Sequence, residues 1–228
     1  MSLIIKDLSV SRQQTSIIDR VSLTIAPGEL HILSGLNGAG KSTLLNSLMA
    51  NPLYEVTSGQ IVLDDVDLTP LSTFERARAG LFLSLQTPPE VPGVPLEDFL
   101  RTSLEAIQGT RPHTIPFAKD LNDSLALLRL DPKFAKRSLN EGFSGGEKKR
   151  SELLQLLMLK PKYALLDEPD SGLDPDAVGY LIEVIAKLRQ QGTGILLVTH
   201  YAHIIEALNP NMIHELSSGR CHLRELIS

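Results

Sequence analysis

Gly35-Leu36-Asn37-Gly38-Ala39-Gly40-Lys41-Ser42 is the segment from which the architecture of this chain can be inferred. It matches the pattern GxxxxGK[ST] and lies between a short β-rich run, Leu30 to Leu33, and a stretch without helix breakers, Lys41 to Met49. A strand before and a helix after are the context in which this pattern wraps a phosphate group. The glycines let backbone N–H groups converge on the anion, and the helix presents the positive end of its dipole. The segment therefore predicts a phosphate loop.

Individual positions of this loop have expected tasks. Lys41 should reach the β- and γ-phosphate oxygens, and Ser42 should ligate Mg2+. A helix terminus offers an anion roughly 0.3 to 1 kcal/mol, whereas losing one well-aimed donor at a transition state costs roughly 2.7 to 4 kcal/mol. We therefore expect Lys41 to be indispensable. The predicted nucleotide contacts of this segment are Gly35, Leu36, Asn37, Gly38, Ala39, Gly40, Lys41, Ser42 and Thr43.

A second motif is an apolar run that ends in two carboxylates. Tyr163 to Leu166 is followed directly by Asp167 and Glu168. Because ligands bind where the strands of a parallel sheet end, both acids should lie near the phosphate loop. Asp167 is predicted to hold Mg2+, and Glu168 to polarise the water that attacks the γ-phosphate. The alternative is that two solvated acids simply cap a strand.

The remaining pattern predicts an α/β fold with a largely parallel sheet. Short β-rich runs open the chain, beginning with Leu3 to Ile5. After the phosphate loop, four prolines precede two amphipathic stretches, near Leu96 to Ile107 and Leu121 to Leu130, which predict a helical insertion. We therefore expect one domain over residues 1–228, with a catalytic core over about 1–87 and 141–228 and a helical subdomain over about 88–140.

Composition limits the classes of function. The formal net charge is −5 and the basic residues are scattered, which argues against nucleic-acid binding as the main role. No apolar run approaches the roughly 18 residues of a membrane helix, and Met1 to Val10 lacks the pattern of a signal peptide. The single cysteine, Cys221, excludes an internal disulfide framework. These features predict a cytoplasmic protein with no direct membrane contact and no metal site beyond Mg2+.

The class of nucleotide-binding protein is indicated by Phe143-Ser144-Gly145-Gly146-Glu147-Lys148-Lys149-Arg150. This segment resembles the LSGGQ signature of ABC ATPases, with Phe143 in place of the usual Leu and Glu147 in place of the usual Gln. Three further matches occur in the order typical of the family: Gln86 resembles the Q-loop, Ser171 to Asp174 the D-loop, and His200 the switch histidine.

This resemblance implies an ABC ATPase fold, with a P-loop core, an N-terminal antiparallel β subdomain and a helical subdomain. It also implies hydrolysis of ATP with Mg2+ and head-to-tail closure on a second copy, because in this family the signature faces the nucleotide of the opposite subunit. The residues implied as catalytic are Lys41, Gln86, Glu168 and His200. Further nucleotide contacts are implied for Ser144, Gly145, Gly146, Glu147 and Asp174. The implied Mg2+ ligands are Ser42, Gln86 and Asp167.

One feature of the family is missing upstream of the phosphate loop. Many ABC ATPases stack adenine on an aromatic residue there, but Ser11 to Ser22 contains no aromatic residue. We expect Ile17 or a neighbour to serve as an apolar substitute.

Several stretches resemble the SufC family, the ABC ATPases of the Suf iron–sulfur cluster assembly system. The most discriminating stretches are Glu147 to Arg150 and Asp170 to Asp174, because transporter ATPases more often have Gln-Gln-Arg and Ser-Ala-Leu-Asp at these places. Pro169 departs from the family pattern, since SufC-like chains commonly have Thr or Ser there. The resemblance implies SufB/SufD-type scaffold partners that dock on the Pro-rich loop after Gln86 and on the helical insertion. The alternatives are an ABC transporter subunit, a nucleotide-gated interaction module with negligible turnover and, less favoured, a DNA-repair ABC protein.

Overall fold

The computed structural model describes residues 1–84, 88–173 and 175–224, and strands and helices are mixed along this part of the chain. The strands are β1 (Leu3–Arg12), β2 (Thr15–Ile25), β3 (Leu30–Ser34), β4 (Glu55–Leu63), β5 (Val66–Asp67), β6 (Leu81–Ser84), β7 (Val91–Pro95), β8 (Ser138–Leu139), β9 (Tyr163–Asp167), β10 (Gly194–Val198), β11 (Met212–Ser217) and β12 (Arg220–Arg224). The helices are α1 (Lys41–Leu48), α2 (Thr73–Ala79), α3 (Leu96–Gln108), α4 (Thr114–Leu127), α5 (Gly145–Leu159), α6 (Pro175–Gln190) and α7 (Ala202–Leu208), and a 3-10 helix spans Pro132–Lys136.

The central sheet has the strand order β12-β11-β3-β10-β9-β6. Its neighbouring strands are parallel, apart from the antiparallel pair of β11 and β12. Strands β9 and β10 are buried along their whole length, as expected for strands covered on both faces. Because β3, β9 and β10 are parallel neighbours, the loops that follow them meet at one edge of the sheet.

A second, antiparallel sheet has the order β2-β1-β4-β5 and confirms the predicted N-terminal β subdomain. Strand β1 is longer than the predicted Leu3 to Ile5 and continues to Arg12. Its pairing with β2 shifts register between Ile5 and Leu8, and Asp7 there has a φ of 46°. This bulge interrupts the alternation of apolar and polar residues, so the sequence pattern understated the strand.

Two apolar cores lie beside the central sheet. Helix α1 places Leu44, Leu45 and Leu48 in one of them, each fully buried, together with apolar residues of the antiparallel sheet. The other core packs helices α3 to α6 against β3, β9 and β10. The α/β fold class is thereby confirmed. Within the described ranges, no helix is both long enough and apolar enough to cross a membrane.

The insertion contains α3, which begins at the predicted Leu96, and α4, which begins seven residues earlier than the predicted Leu121, at Thr114. The predicted start was wrong: Pro116 lies in the first turn of α4, where proline is tolerated, so the helix begins before the apolar stretch that indicated it. The pair β7 and β8 brings the two ends of the insertion together, with Val91 opposite Leu139. The boundaries at 88 and 140 stay a prediction.

Candidate functional site

The phosphate loop connects β3 to α1 and is enclosed by β2 and β11. Gly40 has a φ of 105°, and a Cβ there would lie 2.8 Å from Cδ1 of Ile18 on β2. Gly35 has a φ of 144°, and a Cβ there would lie 2.3 Å from the carbonyl oxygen of Leu216 on β11. Both positions therefore require glycine, for backbone conformation and for space.

The side chain of Lys41 turns back over this loop. It is 6% exposed, and Nζ donates hydrogen bonds to the carbonyl oxygens of Gly35 at 2.8 Å and Leu36 at 3.1 Å. The ammonium group is thus held inside the loop by two neutral acceptors, which a phosphate anion can replace with stronger, charge-assisted bonds. The side chains of Leu36 and Asn37 are exposed at the tip of the loop.

Asp167 lies at the end of β9 with one carboxylate oxygen unsatisfied. The side chain is buried, and Oδ1 has no hydrogen-bond partner among residues 1–84, 88–173 and 175–224. Burial raises the pKa of Asp167, and the hydrogen bond with Ser42 and the charge of Lys41 only partly oppose this. A buried carboxylate oxygen without a partner, next to a serine hydroxyl, is the donor set that Mg2+ prefers. Ser42 and Asp167 therefore fit the predicted cation.

Glu168 and His200 meet at the same edge. Because Asp167 of β9 lies opposite Val198 of β10, the residues that follow these strands are neighbours. Nε2 of His200 lies 3.3 Å from Oε1 of Glu168, and their side chains are 43% and 32% exposed. Glu168 has a φ of 49°, a costly conformation for a residue other than glycine, and such outliers concentrate at functional sites. The carboxylate of Glu168 is therefore in contact with His200 and open to solvent.

A buried hydrogen bond that the sequence interpretation missed lies behind this pair. Thr199 Oγ1 donates to Asp170 Oδ2 at 2.5 Å, and the backbone N of Tyr201 donates to Thr199 Oγ1 at 3.2 Å. The loop that carries His200 is thus tied to the start of the segment that resembles the D-loop. Asp170 begins one of the segments quoted above and Thr199 directly precedes His200, but nothing in the sequence indicated that the two would bond to each other.

The signature-like segment forms the start of α5. Ser144 is the N-cap, its Oγ accepts from the backbone N of Glu147 at 3.2 Å, and its own backbone N donates to Oε2 of Glu147 at 2.8 Å. In the part of the chain that the structure describes, a Cβ added at Gly145 or Gly146 would meet no heavy atom within 4 Å. The packing of the single chain therefore does not explain why both positions are glycine, although glycine in a helix costs about 0.5 to 1 kcal/mol relative to alanine.

The predicted residues are thus divided between two places. Lys41, Ser42, Asp167, Glu168 and His200 come together at the edge of the central sheet. Among the described residues, the side-chain hydrogen bonds of the segment from Ser144 to Glu147 join its own residues and Arg137. Gln86 and Asp174 lie outside the described residues, so their predicted roles stay predictions.

Two other features are the position of Ile17, which was predicted in part, and a pair of buried histidines, which was not predicted. Ile17 is half-buried, and its Cγ2 would lie 3.2 Å from a Cβ at Gly40, which places it beside the phosphate loop. Its role as an adenine platform stays a prediction. Nδ1 of His31 on β3 lies 2.9 Å from Nε2 of His214 on β11, and both rings are buried. Nothing in the local sequence pattern showed that these histidines, from distant parts of the chain, would pair.

Comparison with known proteins gives consistent relatives. The family model described as "ABC transporter" matches residues 18–171. "Vegetative protein 296" of Bacillus subtilis is 45% identical over 221 residues, which cover 96% of this chain and 85% of the relative. "Probable ATP-dependent transporter ycf16" of Cyanophora paradoxa is 42% identical over 222 residues, covering 95% and 85%.

Solved structures agree with this relationship. The structure described as the ATP-binding subunit of an ABC transporter has a TM-score of 0.87 at 28% identity and covers 99% of this chain and 90% of that chain. A dimeric bacterial ABC transporter cassette has a TM-score of 0.84 at 21% identity and covers 100% of both chains, which shows the shared fold. The matched family, the relatives and the phosphate loop together identify this chain as a member of the ABC transporter family and as a nucleotide-binding ABC-type ATPase.

Proposed function

We propose that this chain is the ATP-hydrolysing subunit of a Suf-type iron–sulfur cluster assembly complex, closing head-to-tail on a second copy of itself and thereby remodelling a SufB/SufD-type scaffold. The observation that carries the hydrolytic part is the grouping of Lys41, Asp167, Glu168 and His200 at one sheet edge. The Suf part rests on the resemblance of the segments around Glu147 and Asp170. We also propose that this complex lies in the cytoplasm and makes no direct contact with a membrane or a nucleic acid.

The geometry supports a direct attack of water on the γ-phosphate. The loop amides and Lys41 hold the β- and γ-phosphates, and Glu168 accepts a hydrogen bond from the attacking water and then its proton. The new P–O bond forms as the bond to the β-phosphate oxygen breaks, and ADP leaves. His200 contacts the γ-phosphate and supports Glu168. Ser42 and Asp167, with Gln86 as a proposed further ligand, would hold Mg2+, and the bound ion would supply charge neutralisation for the transferred group.

Closure on a second copy is supported by the open start of α5. The backbone N–H groups of Gly145 and Gly146 lie at a helix N-terminus, where an anion is favoured, and none of the described residues fills the space where their side chains would be. We propose that the γ-phosphate held by the opposite copy fills it. The dimeric state of the related bacterial cassette gives a precedent for such an assembly.

Docking of a scaffold partner is supported by the link between the Pro-rich loop and α5. Glu90 pairs with Lys148 at 2.7 Å, and Nδ2 of Asn140 donates to the carbonyl oxygen of Pro89 at 2.9 Å. A partner bound to this loop would therefore be connected to the start of the signature helix. A groove of about 940 Å3 between α2, α3 and α4, with Arg78 and Arg111 at its rim and Leu104 in its wall, could receive an acidic segment of that partner.

A second candidate function is that of the ATPase subunit of an ABC transporter. The specific observation in its favour is that the family model and several relatives carry the word transporter in their descriptions. Such a subunit would use the same chemistry and the same groove but would engage a membrane-embedded partner.

The deciding experiment is the isolation of the tagged chain from its native cells, followed by identification of its partners and an ATPase assay of the recovered complex. Scaffold proteins without membrane spans that raise the turnover would support the Suf proposal. A polytopic membrane protein in the complex would contradict it and favour the transporter alternative, while leaving the hydrolytic site in place.

A further inference from the structure

The start of α5 carries a carboxylate at the place where the proposed function needs a phosphate to bind. Oε2 of Glu147 accepts the hydrogen bond from the backbone N of Ser144 at 2.8 Å, so the carboxylate folds back onto the first turn. A negative charge at this end stabilises the helix of the single chain. It would also repel the γ-phosphate that is proposed to approach Gly145 and Gly146 from the opposite copy.

Arg137 holds this carboxylate in an ion pair. Nη1 of Arg137 donates to Oε1 of Glu147 at 2.5 Å, and Nη2 lies 3.4 Å from the carbonyl oxygen of Gly142. Cζ of Arg137 lies 4.3 Å from the ring centroid of Phe143 and 5.4 Å from that of Phe134. Contact with two aromatic rings favours the charged guanidinium of Arg137 and restricts its position. The pKa of Glu147 is lowered, first by the backbone hydrogen bond from Ser144 and then by Arg137.

The exposure of the pair indicates that its main effect is not on folding. The side chains of Arg137 and Glu147 are 41% and 26% exposed, and ion pairs at such positions stabilise a fold by roughly 0 to 1 kcal/mol. In a closed dimer the same charges would lie beside a nucleotide and be shielded from water. Electrostatic interactions there become stronger because the effective dielectric constant falls.

We propose that Arg137 is a positioning residue for closure: it neutralises Glu147, so that the start of α5 can receive the γ-phosphate bound to the opposite copy. The inference rests on the proposed function, since it needs closure around nucleotide. It also accounts for a glutamate at a position where the signature usually has an uncharged glutamine.

The test uses Glu168→Gln as the parent, because slowed hydrolysis should let ATP-bound dimers accumulate. Arg137→Met keeps an apolar stem against the two rings but removes the charge. We expect the ATP concentration for half-maximal dimer formation, measured by sedimentation velocity, to rise about tenfold, which corresponds to about 1.4 kcal/mol for each ATP bound. In a Glu147→Gln background, whose amide oxygen can still accept from Ser144, the same Arg137→Met change should alter this concentration less than about threefold.

The matched control is Arg101→Met. Cζ of Arg101 lies 4.5 Å from the ring centroid of Phe117 in α4, a similar stack outside the signature. This control should leave dimer formation unchanged. Urea unfolding should show that the Arg137 variants are folded, and ATP titration of the monomer should show that the phosphate loop still binds nucleotide.

Loss of dimer that is rescued by Glu147→Gln would support the inference. Dimer formation by Arg137→Met at the parent's ATP concentration would overturn it. An equal loss in both backgrounds would also overturn it, because the effect would then not act through the charge of Glu147. A parent that stays monomeric in saturating ATP would overturn the proposed closure itself, and this inference with it, before any Arg137 variant is compared.

Discussion

Replacing Gly146 by alanine should stabilise the single chain and at the same time impair its closure. Gly146 lies in the first turn of α5, and an added Cβ would meet no heavy atom within 4 Å. Because alanine is the better helix former, the free energy of unfolding should rise, by up to about 1 kcal/mol. In the closed dimer the same methyl group would stand between the backbone N–H groups and the opposite γ-phosphate. We expect the ATP concentration for half-maximal closure to rise by at least about tenfold.

Two measurements separate these effects. Urea unfolding with an unchanged m-value gives the change in stability, and sedimentation in the Glu168→Gln background gives the change in closure. Gly179→Ala is the control, since Gly179 lies in α6, is exposed and also has no heavy atom within 4 Å of an added Cβ. It should gain stability without losing closure. A Gly146→Ala variant that closes at the parent's ATP concentration would refute the idea that a phosphate approaches this backbone.

Four further predictions concern the phosphate site and the core. Lys41→Ala should abolish nucleotide binding in an equilibrium titration, because it removes the buried ammonium group of the loop; retained micromolar affinity would contradict its assigned role. Glu168→Gln should bind ATP, stall hydrolysis and accumulate dimers on gel filtration, so a monomer with persistent turnover would exclude it as the group that activates water. Burial lowers the pKa of His214 to about 4, and the neighbouring His31 adds to this shift. The unfolded chain therefore binds the proton first, so the free energy of unfolding should fall by up to about 3 kcal/mol as the pH drops from about 6.5 towards 4. The dependence of this free energy on pH should be flatter in His214→Gln. Arg76→Met should lower the free energy of unfolding by about 3 kcal/mol in urea titrations. The reason is that the buried guanidinium donates to four backbone carbonyl oxygens, two of them at the end of α1. A loss below about 1 kcal/mol would show that water replaces these hydrogen bonds.

The phosphate loop and the acidic strand end could be predicted because their signals are local. Gly35 to Ser42 combines a fixed pattern with a strand before it and a helix after it, and α1 begins at Lys41 as expected. The run that ends in Asp167 is short and apolar, which favours a buried strand, and β9 ends at that residue. In both places propensity, periodicity and motif indicate the same structure, so tertiary contacts did not need to be known.

The supporting structure could not be predicted, because it depends on contacts between distant segments. Strand β11 pairs with β3, and the carbonyl oxygen of Leu216 on β11 closes one side of the loop at Gly35. Nothing in the short stretch from Met212 to Ser217 indicates this partner. The buried pair of His31 and His214 follows from the same strand pairing. The hydrogen bond between Thr199 and Asp170 likewise exists only because β9 and β10 end side by side.

The same hydrogen bond offers a physical reason why closure and hydrolysis should be coupled. Thr199 and Asp170 join the loop of His200 to the segment that begins at Ser171 and leads towards the proposed interface. Oδ1 of Asp170 has no hydrogen-bond partner among the described residues, so the hydrogen bond from Thr199 to Oδ2 links this carboxylate directly to the loop of His200. A second copy that presses on the segment after Asp170 would therefore displace Thr199 and with it the imidazole beside Glu168. The single chain already holds the side chains of Glu168 and His200 3.3 Å apart, but under the proposed function their final alignment would depend on the second copy.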